Sequence, residues 1–124
     1  MKKIMLLFLG IILITGCSSN KEKELCNKVD EIDVQTYTSS NNYEELTLIL
    51  ENNYDTYCKS SNTEVCNKLN DYIESTKKEI KLKDCINLDD TKKILCESDN
   101  KLAILDKANN VNYMHEEMWA VCNN

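Results

Sequence analysis

The chain contains seven cysteines and one histidine, side chains that could bind a metal ion or take part in redox or nucleophilic chemistry. A zinc site or a redox dithiol would need cysteines in a C-x-x-C pair, or histidines at ligand spacing. The sequence contains no C-x-x-C, and His115 has no second histidine to work with. The spacing therefore predicts neither a metal site nor a thioredoxin-like activity, and no cofactor is expected.

The surroundings of His115 do not form a known catalytic pattern. A zincin-type motif would need a second histidine at the position of Trp119. Glu116 and Glu117 are adjacent and would point apart on a helix, unlike the paired carboxylates of a glycosidase. No glycine follows Gly16, which removes the glycine-rich loops that bind phosphates and dinucleotides. No catalytic residue is predicted, and the chain is not expected to be an enzyme.

The first cysteine follows a segment that is typical of an export signal. Two lysines near the N-terminus precede an apolar run over residues 4–14. This run is shorter than the roughly 20 apolar residues of a membrane span. It ends in Ile14-Thr15-Gly16-Cys17, which resembles the lipobox of bacterial lipoproteins. The alternative is an ordinary secretory signal in which the cysteine occurs by chance.

The lipobox resemblance implies a chain of three parts. Residues 1–16 would be a signal peptide, and Cys17 would carry a diacylglycerol on its thiol and an acyl chain on its new amine. Residues 17–24 would form the lipidated cysteine with a polar tether, and residues 25–124 one helical, disulfide-rich domain. Two or more acyl chains attach a protein stably to a membrane. Because Ser18 resembles the sorting pattern of outer-membrane lipoproteins, the implied location is the bacterial cell envelope, at the outer membrane and facing the periplasm.

With Cys17 assigned to the lipid, an even number of cysteines remains in a small exported domain, a pattern typical of a disulfide framework. These are Cys26, Cys58, Cys66, Cys85, Cys96 and Cys122. Cys58 and Cys66 flank a tight turn between two predicted helices, so their bond would close a helical hairpin. For the other four there are two schemes, which stay open here. Either Cys85 bonds to Cys96 and Cys26 to Cys122, or Cys85 bonds to Cys122 and Cys26 to Cys96.

Apolar residues recur at intervals of three and four along most of the domain, which predicts amphipathic helices. The predicted helices cover about 21–32, 42–58, 61–83, 90–109 and 112–122. The polar, β-branched residues 33–40 are predicted to be a connection. Asn42 with Glu45, or equally Asn41 with Glu44, and Ser61 with Glu64 match capping boxes at helix starts. The sequence therefore predicts an all-α fold, a small disulfide-stapled bundle of four or five helices.

The fourth predicted helix has the least regular pattern. Its apolar face consists of Ile94, Leu95, Leu102 and Leu105, and polar residues interrupt its middle. Two asparagines at 109–110 are predicted to end it before the last helix begins.

The charge balance predicts an acidic surface. The chain has 15 lysines against 21 acidic residues, a formal net charge of −6, and removal of the signal would take two further lysines away. Nucleic-acid binding needs clustered cations, so no nucleic-acid partner is expected. An anionic membrane surface would repel the domain and leave the lipid as its membrane contact. A basic protein partner would be attracted.

Trp119 is the predicted anchor for such a partner, because it lies one position off the apolar face of the last helix. Tryptophan is enriched among the residues that dominate binding energy at protein interfaces. Glu116 and Glu117 lie on or near the same face and would suit a basic protein. Tyr54 and Tyr57, at helical spacing, are predicted to be in the core instead.

A second resemblance concerns the middle of the chain. Residues 57–61, Cys66 and 71–73 are similar to the cysteine–spacer–cysteine–tyrosine region of the periplasmic amidase-immunity proteins of type VI secretion. Cys85 and Cys122 are similar to the later cysteines of that family. The spacer is shorter here, the family's glycine before the tyrosine is missing, and two cysteines are additional. The resemblance implies a protein that neutralises a toxin by binding it.

These observations predict a membrane-anchored periplasmic lipoprotein that acts as a stoichiometric binding or inhibitor protein, for example in immunity against an envelope-targeting toxin. The alternative is a structural or accessory lipoprotein of the envelope or of a secretion system. A toxin gene next to the gene for this chain would favour the first function over the second.

Overall fold

The computed structural model describes residues 20–123, and this part of the chain is helical without any strand. Five helices follow one another along it: α1 over 20–30, α2 Val34–Ser39, α3 Tyr43–Tyr57, α4 Glu64–Lys77 and α5 Asp90–Cys122. The all-α prediction is confirmed. Residues 20–24, which the lipobox resemblance assigns to the tether, belong to α1, in line with the helix that the apolar spacing predicts from about residue 21. Cys17 and the predicted signal peptide lie outside the described residues.

Residues 33–40 contain a short helix, α2, so the prediction of a plain connection was wrong. At its start, the Thr36 hydroxyl donates to the Asp33 carboxylate over 2.8 Å. Thr38 is buried, and its hydroxyl donates to the side-chain carbonyl of Asn112 on α5 over 3.4 Å. Local side-chain hydrogen bonds and packing on α5 therefore outweigh the low helix propensity of these β-branched residues.

The two predicted capping boxes differ from the helix starts in the structure. The side-chain amide of Asn42 donates a hydrogen bond to the Glu45 carboxylate over 2.7 Å, and the Asn42 side chain makes no hydrogen bond to the backbone of α3. At α4 the N-cap is Thr63 instead of Ser61, and its hydroxyl accepts a hydrogen bond from the backbone N–H of Cys66 over 3.2 Å. Because Thr63 directly precedes the first buried turn, it satisfies a free helical N–H where packing begins.

The core lies where α1, α3, α4 and α5 meet. Its fully buried large side chains are Leu25, Leu46, Leu50, Leu69, Tyr72, Val111 and Met118. On the contact between α3 and α4, the hydroxyl oxygens of Thr47 and Thr76 lie 2.7 Å apart, and each is also bonded within its own helix. Tyr54 and Tyr57, predicted to be in the core, are half-buried and pack on its edge.

Helix α4 is the centre of the bundle, because it packs against α3 on one side and α5 on the other. It runs antiparallel to α5. Lys68 near its start is paired with Glu117 near the end of α5, at 3.7 Å, and Tyr72 contacts His115 one turn further on. The backbone carbonyl of Lys78, just after α4, accepts a hydrogen bond from the Lys107 ammonium.

Helix α4 ends at Lys77, earlier than the predicted end at about residue 83, and residues 78–89 continue without regular structure to the start of α5. They follow α5 as far as Cys96. As a helix, residues 78–85 would rise only about 10 Å, whereas the levels of Lys107 and Cys96 on α5 are separated by roughly 16 Å. An extended segment covers that distance and brings Cys85 to Cys96.

Helix α5 is one continuous helix of 33 residues, about 50 Å long, where the sequence predicted two. The pair Asn109-Asn110 does not end it. Asparagine costs less than about 1 kcal/mol in a helix, and the burial of Val111 and Met118 beyond the pair outweighs that cost. Among the described residues, α5 included, no helix combines the length and the apolar character that a membrane span requires.

The six cysteines that were predicted to be bonded form three disulfides, and their pairing is the first of the two schemes given above. Cys58 bonds to Cys66, Cys85 to Cys96, and Cys26 to Cys122, with Cα–Cα distances of 5.6, 5.8 and 5.7 Å. The first bond closes the α3–α4 hairpin as predicted. The last bond ties α1 to the end of α5.

Candidate functional site

A cavity of about 380 Å³ opens at the end of the bundle where α1 meets the C-terminal end of α5. It is the candidate site and is called the end cavity below. Its lining comes from three elements: Glu22, Lys23, Cys26, Asn27, Val29 and Asp30 of α1, Val65 of α4, and His115, Met118, Trp119, Val121 and Cys122 of α5, followed by Asn123.

The end cavity has a rigid floor. Cys26 and Cys122 are covalently joined there, with their Cα atoms 5.7 Å apart. Val29 is buried in the same cluster as Met118, which is fully enclosed. The apolar contacts and the disulfide together fix the position of α1 on α5, so the side chains on the rim are held by two anchored helices.

Trp119, the predicted anchor, stands on the rim of the end cavity and is 56% exposed. Glu116 is one turn earlier on α5 and is also exposed. Residues three apart on a helix are neighbours on its surface, so the indole and this carboxylate lie side by side. The predicted exposure of Trp119 is therefore present in the structure, and the helical spacing puts Glu116 next to it on the surface of α5.

Glu117 is placed differently from Glu116. Its carboxylate is half-buried against α4 and lies 3.7 Å from the Lys68 ammonium. Two adjacent helical residues point about 100° apart, which explains why the two glutamates face different neighbours. The sequence-based grouping of Glu117 with Trp119 is wrong in this respect, because its charge is already paired within the domain.

The sequence-based reasoning missed the carboxylates of α1. Glu22 and Asp30 line the end cavity opposite Trp119, and the lysine on that side is Lys23. Their signal was indirect, because the bond between Cys26 and Cys122 brings α1 to this end of α5. Asp30 follows Cys26 by one helical turn, so it lies on the same side of α1 as the disulfide.

His115 forms the inner wall of the end cavity and is held by a buried tyrosine. Its Nδ1 lies 2.9 Å from the Tyr72 hydroxyl, and the rings meet edge to face with centroids 5.7 Å apart. Burial raises the pKa of Tyr72 well above its ordinary value, so the phenol keeps its proton. This proton has no other acceptor among the described residues, so Tyr72 donates to Nδ1 and His115 carries its own proton on Nε2.

The protonation of His115 is set by opposing effects. Burial lowers its pKa below the ordinary 6.5, and the carboxylates of Asp30 and Glu116 act in the opposite direction with smaller effect. The neutral imidazole is therefore the form that the fold favours, since a second ring proton on Nδ1 would displace the hydrogen bond from Tyr72.

We expect this to make stability depend on pH. In the unfolded chain His115 binds a proton at its ordinary pKa of about 6.5, whereas in the folded protein it does so only at lower pH. The free energy of unfolding should therefore fall as the pH drops through 6.5 and level off below the folded-state pKa. Chemical unfolding at pH 7.5 and 6.0 measures this loss.

The matched variant for this test is His115→Gln, which cannot titrate but can still accept a hydrogen bond from Tyr72. It should lose less stability than the wild type between the two pH values, because histidine is the side chain whose ordinary pKa lies in this range. An equal loss in both proteins, or a wild type that gains stability on acidification, would contradict the assignment.

The chemistry available at the end cavity is recognition of a cation by carboxylates and an aromatic face. Within the described residues, no three histidine, cysteine, aspartate or glutamate side chains are grouped so that they could hold a metal ion. Comparison with known proteins found no family model, curated protein or solved structure that matches the chain.

Proposed function

We propose that this protein is a lipid-anchored binding protein of the bacterial envelope, which captures a basic protein partner stoichiometrically at the end cavity. The observation that carries the proposal is the position of Trp119. Its large apolar side chain stands exposed beside a cavity that also presents Glu22 and Asp30, with Glu116 adjacent on α5. None of these carboxylates forms an ion pair within residues 20–123. An exposed tryptophan next to such carboxylates is typical of a binding surface and contributes little to the core.

An arginine or lysine of the partner is the side chain that this arrangement fits best. A cation over the indole face of Trp119 gains from the ring quadrupole, by about 0.5 to 2 kcal/mol depending on desolvation. The carboxylates of Asp30 and Glu116 would accept its hydrogen bonds, and arginine can satisfy both demands with one planar group. The net charge of −6 adds long-range attraction, which mainly increases the association rate.

The proposed lipid anchor would hold this site next to the membrane. Glu22 and Lys23 follow Cys17 by only a few residues, a distance of at most about 20 Å along the chain. A partner bound at the end cavity would therefore be held close to the bilayer surface. That location suits an inhibitor of a toxin that attacks the envelope, which is the function implied by the similarity to amidase-immunity proteins.

The test compares capture by the wild type with capture by Trp119→Ala. Immobilised full-length protein is used to retain partners from envelope extracts, and the affinity is then measured with the purified partner. Loss of a hot-spot tryptophan costs about 2 kcal/mol, so Trp119→Ala should bind roughly 30-fold more weakly. Asp30→Asn should mainly slow association, and more so at low salt.

The matched control is Leu48→Ala, because Leu48 is a similarly exposed apolar residue, at 61%, on α3 and outside the end cavity. Its affinity should equal that of the wild type, and circular dichroism of all variants should be unchanged. Equal binding by Trp119→Ala and the wild type would refute the site. Turnover of an envelope substrate by the purified protein alone would refute the function, and a partner that belongs to an assembly machine would favour the accessory role.

A further inference from the structure

The N-terminal half of α5 carries an apolar stripe that nothing in the described part of the chain covers. It consists of Ile94, Leu95, Leu102 and Leu105, which are 67%, 61%, 54% and 52% exposed. The sequence predicted these residues as the apolar face of a helix, and in the structure this face is exposed. At 100° per residue they fall within an arc of about 100° on the helix, so they form one continuous face, called the α5 stripe below.

The stripe is bare because the bundle does not extend this far along α5. Helix α4 ends at the level of Lys107, and beyond it only residues 78–89 accompany α5. That segment lies on the opposite side of the helix. It is fixed there by the Cys85–Cys96 disulfide and by two hydrogen bonds between Asn100 and the backbone of Lys83, of 2.8 and 2.9 Å.

Three residues of the stripe fall on the positions of a short coiled-coil seam, in which Ser98 occupies the d position between Leu95 and Leu102. Leu95 and Leu102 are seven residues apart and would occupy a positions, and Leu105 would occupy the d position that follows Leu102. The next a position is Asn109, which is exposed. A single asparagine at an a position is known to fix the register and number of strands in such seams.

We propose that the α5 stripe binds the same stripe of a second copy of this chain, with the two α5 helices parallel. The charges beside the stripe select this arrangement. In a parallel pair Lys101, at a g position, would face Asp106 at the e position of the other copy, which gives two ion pairs of opposite charge. Both residues are exposed, and neither takes part in an ion pair among the described residues.

An antiparallel pair would bring like charges together. Lys101 would then lie near Lys101 of the other copy, and Asp106 near the other copy's Asp99, which is itself paired with Lys83 at 2.9 Å. Like charges at such positions suppress the wrong orientation. The seam also ends naturally towards the C-terminus, because the next a position after Asn109 is Glu116, where two copies would repel.

Membrane attachment adds to the same orientation, although this step alone depends on the proposed lipid anchor. The Cys26–Cys122 bond ties the end of α5 to α1, the helix nearest to Cys17. Two copies anchored in one membrane therefore have their α5 helices directed the same way. A seam of two heptads is weak in solution, and confinement to a membrane raises the effective concentration of its partner.

The test uses the full-length protein reconstituted in phospholipid vesicles, with donor or acceptor fluorophores at the C-terminus. Energy transfer between copies should rise with protein density as expected for a monomer–dimer equilibrium. Leu102→Asp should weaken association at least tenfold, because it places a charge in the centre of the seam. The matched control, Leu48→Asp, adds the same charge at an exposed leucine of α3 and should associate like the wild type.

Orientation is tested by reversing the proposed ion pair. Lys101→Asp and Asp106→Lys should each weaken association about fivefold, and the double variant should restore it, since opposite charges again face each other. If Asp106→Lys alone strengthens association, the antiparallel arrangement holds and the proposal is wrong. Energy transfer no greater than that between randomly distributed copies would also overturn the proposal. So would a Leu102→Asp variant that associates as strongly as the wild type.

The outcome is independent of the proposed function. Trp119 lies about 25 Å from Leu102 along α5, so Trp119→Ala should leave association between copies unchanged. If instead the chain stays monomeric and Leu102→Asp abolishes capture of the envelope partner, the stripe binds that partner and the pairing of copies is refuted.

Discussion

Replacing Cys26 and Cys122 by alanine should lower the free energy of unfolding by about 4 to 5 kcal/mol. The Cys26–Cys122 disulfide closes a loop between residues 96 positions apart, which is nearly the whole described chain. Without it the unfolded chain gains the most conformational entropy of any of the three bonds, and α1 loses its covalent attachment to α5. Since small domains are stable by only about 5 to 15 kcal/mol, this loss is a large share of the total.

The other two bonds provide the comparison. Cys58–Cys66 and Cys85–Cys96 close separations of 8 and 11 residues, so removing either should cost only about 2.5 to 3 kcal/mol. Urea unfolding of the three double-alanine variants gives the order directly, and alkylation of the wild type without reductant should find no free thiol. Equal losses for all three pairs would contradict an entropic origin, and alkylated cysteines in the wild type would contradict the bonds themselves.

The disulfide pairing could be predicted in part from the sequence, because the cysteines lie near the ends of the predicted amphipathic helices. Cys58 and Cys66 flank a tight turn, where only a hairpin bond is geometrically easy. The choice between the remaining schemes depended on whether α5 was one helix or two, and local propensity could not decide that. The asparagines at 109–110 favour a helix end locally, but packing of Val111 and Met118 on α4 and α1 continues the helix.

The α5 stripe shows the limit of periodicity as a signal. Ile94, Leu95, Leu102 and Leu105 have the spacing of a core face, yet they are all exposed. Periodicity reports that a helix has an apolar face and does not report what covers it. Here α4 stops at Lys77, because residues 78–89 must extend to reach Cys96, and so the bundle leaves this face free.

The candidate site was only half predictable for a related reason. Exposure of Trp119 followed from its position beside the apolar face of a single helix. The contribution of Glu22 and Asp30 followed from the packing of α1 on α5, a contact between residues almost a whole chain apart. Such contacts become visible in sequence only through a covalent link such as Cys26–Cys122.

Cys17→Ala should abolish lipid attachment completely. In bacterial lipoproteins the cysteine thiol receives the diacylglycerol before the signal peptide is cut, so a chain without Cys17 would keep residues 1–16 and carry no acyl group. Each buried methylene contributes about 0.8 kcal/mol, and the chains on one cysteine together give an attachment that a single chain cannot. Metabolic labelling with a palmitate analogue should mark the wild type and leave the variant unmarked.

The matched control for this prediction is Ser18→Ala, which changes the neighbouring residue and keeps the thiol. It should be labelled like the wild type, and mass spectrometry should show its chain beginning at Cys17, whereas Cys17→Ala should retain Met1 or its processed form. If Cys17→Ala is labelled as strongly as the wild type, another residue carries the lipid. If the wild type itself is unlabelled and cut, the N-terminal segment is an ordinary secretory signal, and the end cavity is not held beside a membrane.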